Sequence, residues 1–212
     1  MMYDLLKRII DLVGSAVLIL AFLPVCILTA IAIKLDSAGP VLADTPKRVG
    51  KNGQLFKLYK FRSMIINAHV ALRSDPKYKE LYNEYKHNSY KLVKDPRVTK
   101  VGRFIRKHSI DEIPQLLNVM FGDMSLVGPR PYYPDELVDQ QDKYPHTKNL
   151  VSVVSSAKPG ITGQWQVSGR SEINFDKRIK MDADYVQQRS LYLDIMILLK
   201  SPWAMISGKG AV

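Results

Sequence analysis

Residues 12–33 read Leu-Val-Gly-Ser-Ala-Val-Leu-Ile-Leu-Ala-Phe-Leu-Pro-Val-Cys-Ile-Leu-Thr-Ala-Ile-Ala-Ile, an uncharged run in a chain of 212 residues. At 1.5 Å per residue a straight helix of this length measures roughly 33 Å, close to the hydrocarbon thickness of a bilayer. Such a run can be a cleaved signal, a spanning helix, or a segment that enters the membrane and returns. A signal would end at small residues, whereas this run passes directly into Lys34-Leu35-Asp36, so cleavage is not expected. Pro24 stands in its middle. A proline removes one backbone hydrogen bond and clashes one turn back, at a cost of about 3 kcal/mol in a helix interior, and neither half is long enough to span alone. A helix-break-helix dipping into one leaflet would leave Lys7-Arg8 and Lys34-Asp36 on the same face of the membrane. A kinked spanning helix is the other reading, because neighbouring groups can satisfy the carbonyl that proline frees.

Charge is as uneven as hydropathy. The chain carries 31 Lys+Arg against 20 Asp+Glu, yet residues 44–110 hold seventeen of the bases against five acids, while 1–36 and 111–212 are close to balance. A basic block directly behind a membrane-length apolar run points to an anionic lipid surface or to polyphosphate ligands, and the positive-inside bias puts that block in the cytoplasm. An apolar share of 46% and a charged share of 24% exclude a disordered chain and a polytopic membrane protein. The single Cys26 excludes a disulfide framework and a Cys-rich metal site.

Past Gly39-Pro40, Val41-Leu42-Ala43 and Leu55–Phe61 have strand character, with Asn52-Gly53 between them as a hairpin signal. Met64 to Leu72 predicts a short helix. After Asp75-Pro76, Tyr78, Leu81, Tyr82 and Tyr85 recur at helical spacing beside Lys77, Lys79 and Lys86. That pattern suits a core face or a helix at headgroup level, and the neighbouring membrane segment tilts the reading toward the interface, with the lysines directed at anionic headgroups. Lys100, Arg103, Arg106 and Lys107 share a face of the next helix, with Val101, Phe104 and Ile105 turned away; an anion nearby would relieve their mutual repulsion. Gly128-Pro129-Arg130-Pro131 is a stiff extended turn that aims one arginine. Ser190 to Leu199 predicts an amphipathic helix too short to span.

The chemistry centres on Ser109-Ile110-Asp111-Glu112, which has capping-box spacing ahead of Ile113, Leu116 and Val119, although Pro114 fits only a first turn. The adjacent carboxylates have three readings: a helix cap, hard oxygen ligands for Mg²⁺, or a nucleophile that attacks phosphorus while cations hold the phosphate oxygens. Arg106 upstream and Arg130 on its stiff turn could converge with them on a diphosphate. His69, His87, His108 and His146 show no metal-ligand spacing, and Gly50-Lys51-Asn52-Gly53 is not a P-loop.

Several strings occur together and in order: Lys7-Arg8-x-x-Asp11; Arg48-x-Gly50-x-x-Gly53-x-x-Phe56 with Lys60-Phe61-Arg62-Ser63-Met64; Asp95-Pro96-Arg97; Ser109-x-Asp111-Glu112-x-Pro114-Gln115; Gly122-Asp123-Met124-Ser125 through Gly128-Pro129-Arg130-Pro131; and Lys158-Pro159-Gly160 with Gln166-Val167-x-Gly169-Arg170. From about Lys7 to the C-terminus the chain resembles the bacterial sugar transferases, monotopic phosphoglycosyl transferases that start undecaprenyl-linked glycan assembly at the bacterial inner membrane. The resemblance implies a membrane-embedded re-entrant helix in 1–36 and a cytoplasmic catalytic domain in 37–212. The implied fold is α+β and mostly helical, with amphipathic interfacial helices and a small β-hairpin.

The resemblance also implies a two-step transfer. Asp111 attacks the sugar-linked phosphate of a UDP-sugar, UMP leaves, and undecaprenyl phosphate takes the phosphosugar from the enzyme. Asp111 and Glu112 would be the catalytic pair and hold Mg²⁺, with Glu112 alternatively managing protons. Arg106, Arg130, Lys60, Arg62, Gln166 and Arg170 would contact phosphate or nucleotide, and Pro24 would supply the helix break, here after Leu23 where the family often has serine. The partners are then the UDP-sugar, the lipid phosphate and anionic lipids; nucleic acid is not expected, and a homo-oligomer is left open. The tail Tyr185 to Asp194 looks more like the hexose-1-phosphate branch. Larger relatives carry further membrane helices and another domain, so the resemblance is to a minimal member or to an excised catalytic part. The competing classes are a basic lipid- or nucleic-acid-binding module without catalysis, and a Mg²⁺-dependent phosphohydrolase using water as acceptor.

Overall fold

The computed structural model describes residues 2–88, 90, 92, 94–169 and 173–206. Helices dominate, as expected. The first, α1 (Met2–Asp36), continues through Pro24 as one helical element rather than as two separate halves. Pro24 deletes a single rung of the hydrogen-bond ladder, and the turns on either side are complete enough to carry the helix across it. Only Asp11, Ser15, Thr29 and Ile33 of α1 are buried, at spacings that put them on one face. Leu20 through Pro24 are all exposed, with Leu20 at 71%.

Both ends of α1 are fastened to the same body. Near its start, Lys7 pairs with Asp194 at 2.8 Å, and Arg8 donates to the carbonyls of Val119 and Met120 at 2.7 and 2.9 Å. Asp11 Oδ1 accepts from Ser125 Oγ and from the Leu126 amide, both at 2.9 Å. At its other end Ile33 packs with Phe61 and Ile105, and Lys34 Nζ donates to Gly39 O at 2.9 Å.

The hairpin forms, but from different residues than expected. β1 (Arg48–Val49) pairs antiparallel with β2 (Leu55–Phe56), placing Arg48 opposite Phe56, and Asn52 and Gly53 turn the chain at positive φ. Val41 to Ala43 instead runs beside Lys60 to Arg62, through a Leu42–Phe61 bridge and an Ala43 amide donated to Lys60 O at 2.9 Å. The helix expected from Met64 begins later, as α2 (Ala68–Ser74), after Asn67 at φ 56°. In α3 (Lys79–His87) the tyrosine stripe is a half-buried face against the protein: Tyr85 meets Tyr90 edge-on, ring centroids 4.9 Å apart. Lys86, expected at a lipid headgroup, pairs with Asp139 at 2.8 Å.

α4 (Lys100–Lys107) is capped by Thr99 Oγ1, which accepts from the Gly102 amide at 2.9 Å. Gly102 lets α4 press against the backbone that follows Arg62, since a Cβ there would lie 1.9 Å from Ser63 O. Ile105 is buried as expected, whereas Phe104 is 60% exposed. α5 (Gln115–Phe121) ends at Gly122, whose φ of 91° supplies the left-handed terminus.

A second sheet had no counterpart in the sequence reading: β3 (Ser125–Val127) lies parallel to β4 (Gly160–Thr162). All three residues of β3 are buried, so no alternation announces the strand. Between the two come α6 (Pro134–Lys143) and α7 (Lys148–Ser155). After β4 come the short α8 (Gln164–Ser168), then α9 (Phe175–Gln188) and α10 (Leu191–Ile206). One core joins α5, β3 and α10 through Val119, Met124, Val127 and Ile197, with Leu18 and Ile19 of α1 against it. A second gathers Tyr132, Phe175 and Ile179 between α6, α7 and α9.

The second core encloses an ion pair. Arg178 Nη2 donates to Glu136 Oε1 at 2.9 Å, and both side chains are fully buried. Replacing one partner of such a pair strands the other charge, so Glu136→Gln should destabilise the fold by about 3 kcal/mol or more. Chemical denaturation checks this, and an unchanged midpoint would contradict it.

Candidate active site

After α4, Ser109 adopts a left-handed conformation (φ 55°, ψ 20°) and starts a 3-10 turn, Ile110–Glu112. The expected capping box is absent: Ser109 makes no side-chain cap, because α5 starts only after Pro114, one turn further on. The turn delivers Asp111 into the interior at 6% exposure, and the Phe61 amide donates to its backbone carbonyl at 3.0 Å. Lys60, next to Phe61, reaches both carboxylates, with Nζ 2.6 Å from Glu112 Oε1 and 3.5 Å from Asp111 Oδ2.

Burial pushes the Asp111 carboxyl above its ordinary range and the Glu112 charge adds to this, while Lys60 and Arg106 oppose it. For Lys60, burial pulls the other way, but the two carboxylates outweigh it and the ammonium is held more firmly charged. Asp111 is therefore a nucleophile candidate short of solvent, with Lys60 as its counter-ion.

The dyad lines a cavity of about 370 Å³ whose wall also includes Lys60, Arg106, Arg130 and Gln166. Six side chains named from the sequence therefore meet in one place. Arg62 belongs to the wall as well, yet its nitrogens are committed elsewhere: Nε donates to Pro40 O, Nη1 to Ser37 Oγ and Nη2 to Ser37 O, at 2.6, 2.8 and 2.8 Å. Arg170 lies outside the described residues.

Sequence reasoning missed a further cation on the wall, Arg48. Its guanidinium stacks on Tyr133, 3.2 Å from the ring centroid. It is buried, and its Nε and Nη1 have no hydrogen-bond partner among the described residues. Burial lowers its pKa, and repulsion from Arg130 adds to the effect. The available signal was its place at the head of the string Arg48-x-Gly50-x-x-Gly53-x-x-Phe56.

Arg130 is set by what lies behind it. Asp182 Oδ2 accepts from the Arg130 amide at 3.1 Å and from Tyr132 Oη at 2.9 Å, while Asp182 Oδ1 is buried without a partner among the described residues. The Arg130 guanidinium lies 5.2 Å from the Trp165 ring, and that of Arg178 lies 5.7 Å from the same ring.

Burial raises the Asp182 pKa from 3.8 to about 7 against these donors. A carboxyl whose folded pKa is raised binds more protons in the native state, so its contribution to stability falls as pH rises from about 4 to about 7. Asp182→Asn keeps an acceptor and removes that charge. Its stability relative to the parent should thus rise between pH 5 and pH 8, by roughly 2–3 kcal/mol. Melting curves across this range check the sign, and a pH-independent difference would contradict it.

Comparison with known proteins places this arrangement in context. The family model described as bacterial sugar transferase matches residues 2–208. Among curated relatives, a UDP-galactose-lipid carrier transferase of Erwinia amylovora is 41% identical over 97% of this chain and 41% of its own length. An undecaprenyl-phosphate galactose phosphotransferase of Salmonella typhimurium is 42% identical, again over 97% of this chain and 41% of its own. The exopolysaccharide production protein ExoY of Rhizobium meliloti is 38% identical over 97% of this chain and 87% of its own. The chain thus spans about two fifths of the first two relatives and most of the third.

Proposed function

The chain belongs to the bacterial sugar transferase family, and we propose that it is a phosphoglycosyl transferase that moves a sugar-1-phosphate from a UDP-sugar to undecaprenyl phosphate. The observation that carries this reading is a buried carboxylate, Asp111, facing a cavity with Lys60, Arg48, Arg106 and Arg130 on its wall. A basic binding module needs no such carboxylate. In the proposed first step Asp111 Oδ attacks the sugar-bearing phosphorus, the P–O bond to UMP breaks, and UMP departs with the bonding electrons. An acyl-phosphosugar remains on the enzyme. In the second step an oxygen of undecaprenyl phosphate attacks the same phosphorus, the acyl–phosphate bond breaks, and the Asp111 carboxylate is regenerated. The arginines bear the charge that develops on the phosphate oxygens.

Adjacent carboxylates, one of them partly exposed to the cavity, fit a hard ion such as Mg²⁺, whose remaining positions would fall to water and donor phosphate. Bound by Asp111 and Glu112, the ion would neutralise charge on the leaving phosphate. Lys60 holds the dyad's charge from the protein side.

The attachment of both ends of α1 to one body supports monotopic insertion, because a helix spanning the bilayer would carry Lys7 and Arg8 to the opposite side from Asp36. The exposed stretch around Pro24 is then the part deepest in the leaflet, and the body lies on the cytoplasmic face. Lys100, Arg103 and Lys107 are exposed on α4 beside Phe104, a better match to anionic headgroups than the α3 lysines. The names of the relatives place such enzymes in lipid-linked galactose transfer and exopolysaccharide production, and we assign this chain to the first membrane step of bacterial glycoconjugate synthesis.

The test is incubation of the purified protein with radiolabelled UDP-sugars and Mg²⁺ without lipid acceptor. Stoichiometric UMP release with label retained on the protein is expected. Multiple turnovers without acceptor would identify a hydrolase instead, and no UMP from any of a panel of UDP-sugars would reject the enzymatic reading.

A further inference from the structure

Arg62 is 4% exposed, and its three nitrogens converge on two residues just beyond the end of α1, Ser37 and Pro40. The acceptors are two carbonyls and a hydroxyl, and Arg62 has no ion pair among the described residues. Burying a guanidinium against neutral acceptors is costly, and a smaller polar residue could tether one loop oxygen. What the planar fork adds is simultaneous purchase on two points of the loop.

The same loop is held from α1 by Lys34, which donates to Gly39 O at 2.9 Å. The Arg62 amide donates to Val41 O at 2.8 Å, and the Ala43 amide to Lys60 O at 2.9 Å. One residue, Phe61, separates Arg62 from Lys60, whose ammonium contacts both Asp111 and Glu112, and the Phe61 amide donates to Asp111 O. Hydrogen bonds joined through the backbone of residues 60–62 therefore link the end of the apolar helix to Lys60 and to the Asp111 backbone carbonyl.

We propose that Arg62 is a positioning residue that locks the exit of α1 to the extended segment bearing Lys60, so that the depth of α1 in the membrane fixes where Asp111 meets a lipid-borne phosphate. This rests on the transferase reading above. The donor is soluble and finds the cavity by diffusion, so loading of Asp111 does not need this registration. Discharge to an acceptor confined to the membrane surface does. A purely structural role would weaken both steps or only the melting temperature.

The experiment compares the wild type with Arg62→Gln, Arg62→Lys and the milder Ser37→Ala, each reconstituted in vesicles with and without undecaprenyl phosphate. UMP release without acceptor and discharge of the labelled enzyme are timed separately. For Arg62→Gln, discharge should fall about 10- to 100-fold while loading stays within about threefold, since small misplacements of reacting groups cost rates of that order. Arg62→Lys and Ser37→Ala should show the same split to a smaller degree. In detergent, with a short-chain prenyl phosphate that is free to diffuse, the split should shrink. Parallel loss of both steps, equal loss in detergent, or unchanged discharge would each overturn the positioning role. A wild type that never retains label would reject the transferase reading itself, and this inference with it.

Discussion

Asp111→Asn should abolish both UMP release and retention of label, a fall of at least about four orders of magnitude, the scale seen when a covalent nucleophile is removed. Asparagine has the same shape and remains able to accept hydrogen bonds, so the loss would report the missing charge rather than a rearranged turn. The fold should tolerate it, because the amide no longer needs a counter-ion in a site where burial already disfavours the carboxylate. Glu112→Gln should be less severe, about 10²- to 10³-fold, if Glu112 holds a charge or a proton instead of the phosphosugar. The pH dependence separates the roles further. The reacting form of Asp111 is ionised, so the loading rate rises with pH through a pKa that burial places above the usual carboxylate range. Lys60 opposes that displacement, and Lys60→Met should move the acidic limb of the profile to higher pH as well as lower the plateau. A loading rate for Asp111→Asn within tenfold of wild type would remove Asp111 from the chemistry.

The sequence exposed the elements whose signals are local. The uncharged run announced α1, Asn52-Gly53 announced a hairpin turn, and the acid pair with Arg106 and Arg130 pointed to one site. What stayed hidden depends on long-range packing. β3 is three residues long and buried on both faces, so its parallel partner 35 positions later leaves no periodic trace. Arg62 and Lys60 look alike as basic residues two apart in an extended segment, where alternation would put both on one face. One reaches the dyad and the other clamps the exit of α1, a distinction that exists only once residues 37–43 have folded back beside them. Lys86 resembled a headgroup ligand because Asp139, its partner, lies more than fifty residues away.

Arg48→Ala should leave the protein at least as stable as wild type, within about 1 kcal/mol or better, while donor loading falls about 10²- to 10³-fold, as when one charge-stabilising donor is removed from a preorganised site. The reasoning starts from cost. A guanidinium buried with Nε and Nη1 unpaired is unfavourable, its ring contact with Tyr133 offsets only part of that, and Arg130 repels it. Among the described residues Arg48 has no carboxylate partner, whereas Arg97 is paired with Asp95 at 2.6 Å and Arg178, whose own Nε and Nη1 likewise lack hydrogen bonds, is paired with Glu136 at 2.9 Å. The cavity Arg48 lines is the one that contains Asp111. On the proposed function the donor diphosphate would supply the missing partner, so binding of UDP-sugar should raise the melting temperature of the wild type more than that of Arg48→Ala. Lysine restores the charge but neither stacks flat on Tyr133 nor offers two parallel N–H groups, and Arg48→Lys should recover only part of the loading rate. A variant destabilised by several kcal/mol with normal loading would make Arg48 a structural residue, and the phosphate would then rest on Arg106, Arg130 and Lys60 alone.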